Sequence, residues 1–209
     1  KLTDKFQLSG NDEVKGYLLI NNSHQVGKAM TIMFTPIRVV CNNTLTMALG
    51  ADGERFRVLH LQMFDEEIIK AAEEALGLSG QQMKAFQEQS EFLSSKQYKS
   101  ADLDNFIAEL LQPKLLIERG KSDSFENLPP LRDEFSRTAE NVLDAIETSP
   151  GSQLKSAKGT WWGALNAVTY VVDHEKKSNV IGNSLHSAWF GTGANTKRKA
   201  LTKVLEYAS

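Results

Sequence analysis

Cysteine is almost absent from this 209-residue chain. The single Cys41 excludes an internal disulfide and any multi-cysteine zinc site, and one lone thiol fits a reducing compartment. No run of eighteen apolar residues occurs, so nothing reads as a membrane-spanning helix. A basic segment followed by an apolar stretch, the mark of a secretory signal, is missing too. HExxH and similar metal-ligand spacings are lacking: His24, His60 and His186 are scattered, and Asp173-His174-Glu175 are neighbours whose side chains diverge on a helix. The chain also lacks a Walker A loop and the third glycine of a dinucleotide fingerprint. These absences remove the common signatures of metal, nucleotide and disulfide chemistry. They leave no residue set that reads as catalytic, and no cofactor or metal is expected.

What is present is ordinary in amount and uneven in placement. The chain is 41% hydrophobic and 24% charged, enough for one sizeable core. Its net charge of −2 conceals a division. Residues 1–51 carry +2, residues 52–149 carry −9 and residues 150–209 carry +5. An acidic middle argues against a surface that binds nucleic acid everywhere, and leaves room for a local basic patch. The first residue is Lys1 rather than Met, so the chain is expected to be a fragment of a longer one.

The first quarter reads as strand. "KGYLLINNS" and "AMTIMFTPIRVVC" are rich in apolar and β-branched residues, and "ERFRVLHLQ" alternates. Short polar turns between them favour antiparallel pairing. Pro36 cannot donate to a ladder and predicts an edge or a bend. "NNTLTMAL" can form a short asparagine-capped helix with Leu45, Ala48 and Leu49 inward. From Asp65, a potential cap, the apolar period becomes helical, in "EEIIKAAEEALGL" and then "GQQMKAFQEQSEFLSSK". "SADLDNFIAELLQ" follows with a serine cap, and Pro113 stops it. "PKLLIERGKSDSFENLPP" reads as a loop, "LRDEFSRTAENVLDAIE" as a helix. The last third reads as helices: "TWWGALNAVTYVVDHE", capped by Thr160 and apolar nearly all round, then "NSLHSAWF" and "NTKRKALTKVLEYA". The expected class is α+β, a small antiparallel sheet in the N-terminal quarter followed by a mainly helical C-terminal half. The expected organisation is one domain in three parts: a sheet region over 1–64, an acidic helical region over 65–149, and basic helices over 150–209 that pack back on the sheet.

Three places could carry chemistry. In "AWFGTGANTKRKAL", Gly191 and Gly193 precede Lys197, Arg198 and Lys199. One reading is a phosphate-binding turn, the other a glycine C-cap between two helices, with Asn195 or Thr196 capping the second. On either reading the three basic residues sit in a first helical turn, where each is unfavourable by roughly 0.3–1 kcal/mol unless an anion is bound. With Ala200, Leu201, Val204, Leu205 and Ala208 as the buried stripe, the basic residues are expected to point outward. The adjacent Trp161 and Trp162 are better explained as core, though one could stack on a base. Trp162, Asn166, Thr169 and Asp173 form a polar stripe on that helix, which must join a neighbouring element or line a pocket. Cys41 reads as a buried, inert thiol.

Three stretches together carry a resemblance: "YLLINNSHQVGKAMTIMFTPIRVVCNNTLTMAL", "GTWWGALNAVTYVVDHE" and "SAWFGTGANTKRKAL". In order and spacing, over residues 16–201, the chain resembles the phage/plasmid-like proteins catalogued as domain of unknown function 932. The resemblance implies the context of phages, prophages and conjugative plasmids, the cytoplasm of a bacterial host, and a further N-terminal region. It supplies no catalytic residues. The strand-strand-strand-helix order near the N-terminus suggests a relation to phage single-strand annealing proteins.

The basic, glycine-preceded final helix, the Arg38–Asn43 turn and this context point to a non-enzymatic accessory protein of DNA metabolism and recombination that binds single-stranded DNA. Arg38, Lys197, Arg198, Lys199 and Lys203 are the expected phosphate contacts, with the Gly191–Gly193 turn beside them. Asn42 and Asn43 are expected to hydrogen-bond backbone or bases, and Trp162 or Trp161 to stack. Single-stranded DNA and further copies of the chain are the implied partners, and no membrane is. Two other classes stay open: an interaction or assembly module using the acidic helices, and a nucleotide-dependent enzyme built on Asn166, Asp173 and His174.

Overall fold

The computed structural model describes residues 5–21, 30–45, 56–58, 64–121, 128–175 and 183–209. The class is α+β: an antiparallel sheet near the N-terminus, then a mostly helical remainder. Strand β1 (Lys5–Leu8) was not anticipated, although Phe6 and Leu8 face inward in strict alternation. It pairs with β2 (Asp12–Asn21), and β2 pairs with β3 (Met30–Arg38) in the register Val14↔Arg38 to Asn21↔Thr31. Two short strands share the far edge of β3: β4 (Asn43–Thr44) beside Ile37 and Arg38, and β5 (Phe56–Val58) beside Met30 to Ile32.

Pro36 therefore lies in the central strand, not at the rim of the sheet. The Pro36 carbonyl accepts from the Leu45 N–H at 2.8 Å, so it faces the β4–β5 side. A strand residue's nitrogen faces the same way as its carbonyl. The missing donor thus faces the Leu45 carbonyl, and the β3–β4 ladder ends there, at Thr44.

The helix expected at "NNTLTMAL" does not begin at its asparagines. Asn42 takes φ 54 in the turn after β3, and Asn43 and Thr44 pair as β4, because the chain turns back at once on Arg38. Leu45 is buried as expected, and residues 46–49 lie outside the described residues.

Helix α1 (Phe64–Ser95) runs through both helical stretches, "EEIIKAAEEALGL" and "GQQMKAFQEQSEFLSSK", without a break. At roughly 1 kcal/mol each, two glycines in 32 residues do not break a helix whose other end is anchored. That anchor is Met83, Phe86, Ser90 and Leu93, buried as their spacing predicted. Asp65 falls inside α1 instead of capping it. Helix α2 (Ser100–Leu111) buries Leu103, Phe106 and Ile107; its first residue is Ser100, so the serine is no cap. Pro113 opens α3 (Pro113–Arg119), so part of the expected loop is helical; proline at a first position costs no hydrogen bond. The next predicted helix is split. Leu131–Glu134 is a 3₁₀ turn, Phe135 and Ser136 are extended, and Ser136 caps α4 (Arg137–Thr148) by accepting from the Ala139 N–H.

Helix α5 (Trp161–Tyr170) is the axis of the helical part, capped by Thr160 as expected and buried over its first nine residues. A π-helical turn (Val171–Glu175) extends it. Around it lie α1, α4, α7 (Thr192–Ala208) and strand β4, with α6 (Asn183–Phe190) against α7. Trp161 is packed among Tyr98, Phe106 and Tyr207 at ring separations of 5.3–5.7 Å. Gly163 is required here: a Cβ would stand 2.0 Å from the Ala157 carbonyl oxygen.

Candidate functional site

Three groups of polar side chains bear on function, and two of them are sealed. The first is centred on Asp12, wholly buried at the start of β2. Arg38 Nε and Nη2 donate to its two oxygens at 2.7 and 2.8 Å. Ser156 Oγ and Trp162 Nε1 donate to Oδ2 at 2.6 and 2.9 Å. Arg38 Nη2 also reaches the Gly151 carbonyl at 3.0 Å, where a φ of +80 and contact with Val40 leave room only for glycine. The guanidinium lies 5.9 Å from the centre of the Trp162 ring. Burial pushes the Asp12 carboxyl up, but the Arg38 guanidinium, with Ser156 and Trp162, outweighs it and holds the group below its ordinary range. Such a fork satisfies both partners, as a buried charge requires.

The second group is built on β4. Asn43 Nδ2 donates to the Asn166 carbonyl at 3.0 Å, and Asn166 Nδ2 to the Trp162 carbonyl at 2.9 Å. The Thr44 N–H and hydroxyl donate to Asp173 Oδ2 at 2.7 and 2.8 Å. Lys197 completes the set, its ammonium donating to Asp173 Oδ1, the Thr44 carbonyl and Thr44 Oγ1 at 2.8–2.9 Å. Burial pushes the Lys197 ammonium below its ordinary value, and Asp173 offsets part of that. Trp162, Asn166 and Asp173 of the polar stripe thus join neighbouring elements through these two groups, while Thr169 donates to the Leu165 carbonyl of its own helix.

Four of the expected DNA contacts are accordingly inside the protein. Arg38, Asn43, Trp162 and Lys197 are 0–1% exposed and bonded to protein groups. The same bonds occupy Asn166 and Asp173, the groups an enzyme reading would need. Lys197 is the plainest correction. Helix α7 begins at Thr192, with Gly191 in the capping position at φ −109, so Gly191 is no left-handed C-cap and neither Asn195 nor Thr196 is a cap. Lys197, Arg198 and Lys199 fall in the second turn, beyond the reach of a first-turn dipole argument. Lys197 is in phase with Gly193, Ala194, Ala200, Leu201 and Val204, all buried. That spacing was visible in the sequence and would have placed it inward. Gly193 serves close packing: a Cβ there would stand 2.9 Å from the Ser187 carbonyl oxygen on α6. Asn42 is exposed at its turn, remote in sequence from the basic helix.

The third group is open to solvent. Arg198, Lys199 and Lys203 line a groove of about 840 Å³ between α7 and the α2–α3 corner, with Asn195, Thr202, Glu206, Glu109 and Pro113. Arg198 donates to the Asn195 side chain, Lys203 pairs with Glu109, and Lys199 is exposed. This corner was not anticipated, since neither α3 nor the reach of Glu109 has a local signal.

Cys41 is buried beside Arg38, its sulfur 4.0 Å from both Nη1 and the Arg38 carbonyl. Burial pushes its thiol up, against the opposing charge of Arg38. Cys41→Ser is expected to lower the melting temperature by about 2–4 °C, the effect of about 1 kcal/mol in a chain of this size, and to leave any ligand affinity unchanged. Thermal unfolding checks the first; loss of function in a folded serine variant would establish thiol chemistry.

Among the described residues no group of three or more His, Cys, Asp or Glu is placed to hold a metal, and no helix is long and apolar enough to cross a membrane. No curated protein and no solved structure matches the chain. One family model does, over residues 1–202.

Proposed function

The chain belongs to the family described as Domain of unknown function (DUF932), and from the groove on its last helix we infer that it binds single-stranded DNA, as a non-enzymatic accessory protein of phage or plasmid DNA metabolism. The observation that carries this reading is the alignment of Arg198, Lys199 and Lys203 along one open groove. Cations on one solvent-facing wall attract a polyanion and release its counterions on contact. A flexible single strand suits this groove better than a rigid duplex. It can set individual phosphates on the cations while passing Glu109 and Glu206, which share the same lining. Trp161 and Trp162, the indoles expected to stack, are spent on the core, so recognition here is of backbone more than of bases.

The test is a fluorescence titration of the full chain with single- and double-stranded oligonucleotides over a range of salt. Charge reversal at Arg198→Glu and Lys199→Glu, leaving Lys197 untouched, is expected to change stability by no more than about 0.5 kcal/mol. The same double variant is expected to lose single-strand affinity at least tenfold and to flatten the salt slope by roughly two contacts. Equal binding by wild type and variant, or a preference for duplex, would overturn the reading.

A further inference from the structure

The groove already holds an anion, supplied by the protein. Lys203 and Tyr207 stand one turn apart on α7 and direct their donors at a single carboxylate from α2. The Lys203 ammonium pairs with Glu109 Oε2, and the Tyr207 hydroxyl donates to Oε1 at 2.9 Å. Two oxygens of one acid, one held by an ammonium and one by a phenol, reproduce what two non-bridging oxygens of a phosphate diester would receive. The donors are tuned for an anion: the Lys203 hydrogen bond, with Tyr207, holds the Glu109 carboxyl below its ordinary range against the effect of partial burial.

The pair is also exchangeable. The side chains of Lys203 and Glu109 are 29% and 37% exposed, whereas those of Lys197 and Asp173 are 0% and 6% exposed. Solvent, and anything dissolved in it, reaches the first pair and not the second. Lys199 lies one turn before Lys203 on the same face of α7 and leads a polyanion toward this point. Tyr207 is fixed from behind by Trp161 and Phe106, at 5.3 and 6.2 Å, so its hydroxyl keeps its aim when Glu109 leaves.

We propose that Lys203 and Tyr207 form a phosphate site that the Glu109 carboxylate occupies in the free protein, and that a backbone phosphate of single-stranded DNA binds by displacing it. This rests on the single-strand reading of the groove. Glu109 then lowers affinity twice over, by occupying both donors and by repelling the phosphate that replaces it. It serves as a built-in competitor that sets how strongly a strand must engage Arg198 and Lys199 before the deeper contact forms.

Glu109→Gln keeps the shape of the side chain and removes its charge. In titrations of the full chain with a labelled oligothymidylate at low salt, it is expected to raise affinity about tenfold, the scale of one freed charge-assisted contact, and to steepen the salt slope by about one. Adding Lys203→Met should return affinity to the wild-type level or below. Adding Tyr207→Phe, which keeps the ring, should remove part of the gain. Glu109→Ala gives a second, smaller side chain should the glutamine variant unfold. Unchanged or weaker binding in both Glu109 variants would overturn the proposal; if charge reversal at Arg198 and Lys199 still abolished wild-type binding, the groove reading would stand alone. Binding by neither the wild type nor a folded Glu109 variant overturns both. Binding that emerges only when Glu109 is replaced supports the displacement directly.

Discussion

Replacing Asp12 with alanine lowers the stability of the protein by about 3–5 kcal/mol, because it leaves the Arg38 guanidinium buried without its counter-charge. Against a typical total of about 5–15 kcal/mol, such a loss brings the folded state close to its limit. Ser156 and Trp162 lose their acceptor in the same change, so their buried donors are orphaned as well. The paired change Asp12→Leu with Arg38→Met, which removes both charges and fills most of the volume, is expected to recover much of the loss. Chemical denaturation of the three proteins measures this. A single Asp12→Ala variant within about 1 kcal/mol of wild type would mean that the fork contributes little.

The same carboxylate gives a sign to the pH dependence. Its folded pKa lies below the ordinary 3.8, so the unfolded chain binds the proton more readily. Its contribution is intact above about pH 5 and erodes as the pH falls through the ordinary carboxylate range to the lower folded value. The Asp12→Ala variant should lack that part of the acid limb.

Lys197→Met is expected to cost a similar 3–5 kcal/mol or so, since Asp173 keeps its charge in a sealed site with only the Thr44 donors left. Two residues along, Lys199→Met should change stability by less than about 0.5 kcal/mol. The contrast is the point of the measurement, because the two lysines look alike in the sequence. Their effects on binding should run the other way, with Lys199 affecting affinity directly and Lys197 only through unfolding. A stable Lys197→Met protein with weakened DNA binding would reverse the assignment of these side chains. Lys197→Met together with Asp173→Asn, which removes the stranded charge, should regain part of the lost stability.

Local signals were read well where one element decided the outcome. Thr160 caps α5 as its position suggested, and the all-round apolar sequence behind it gives a helix buried on all sides. The period of Met83, Phe86, Ser90 and Leu93 placed the anchored face of α1. Readings failed where a helix start was set by packing instead of by a cap. Asn195 and Thr196 offered plausible caps, but the close approach of Gly193 to α6 carries α7 a turn further back. Lys197 shares the phase of Ala200, Leu201 and Val204 whichever residue starts the helix, and only its charge argued for an outward place. The Asp12 cluster had no signal at all. Asp12 reads as turn punctuation, and its partners lie 26, 144 and 150 residues away. Arg38 looks like a surface cation in the sequence for the same reason. The α2–α3 corner was missed because a proline that ends one helix can equally begin the next.

Those separations have a consequence for how the chain comes to fold. Synthesis proceeds at about 5–20 residues per second. The 150 residues between Asp12 and Trp162 therefore take roughly 8–30 s to appear. Throughout that interval the hairpin of β2 and β3 can form, and with it the Asp12–Arg38 fork, since those residues are only 26 apart. Its outer face of the fork, which Ser156 and Trp162 later cover, must meanwhile face water. While it faces water the ion pair contributes no more than about 1 kcal/mol, and its full effect comes only with burial. Closure over Asp12 must wait for the arrival of Ser156 and α5, 144 and 150 residues later.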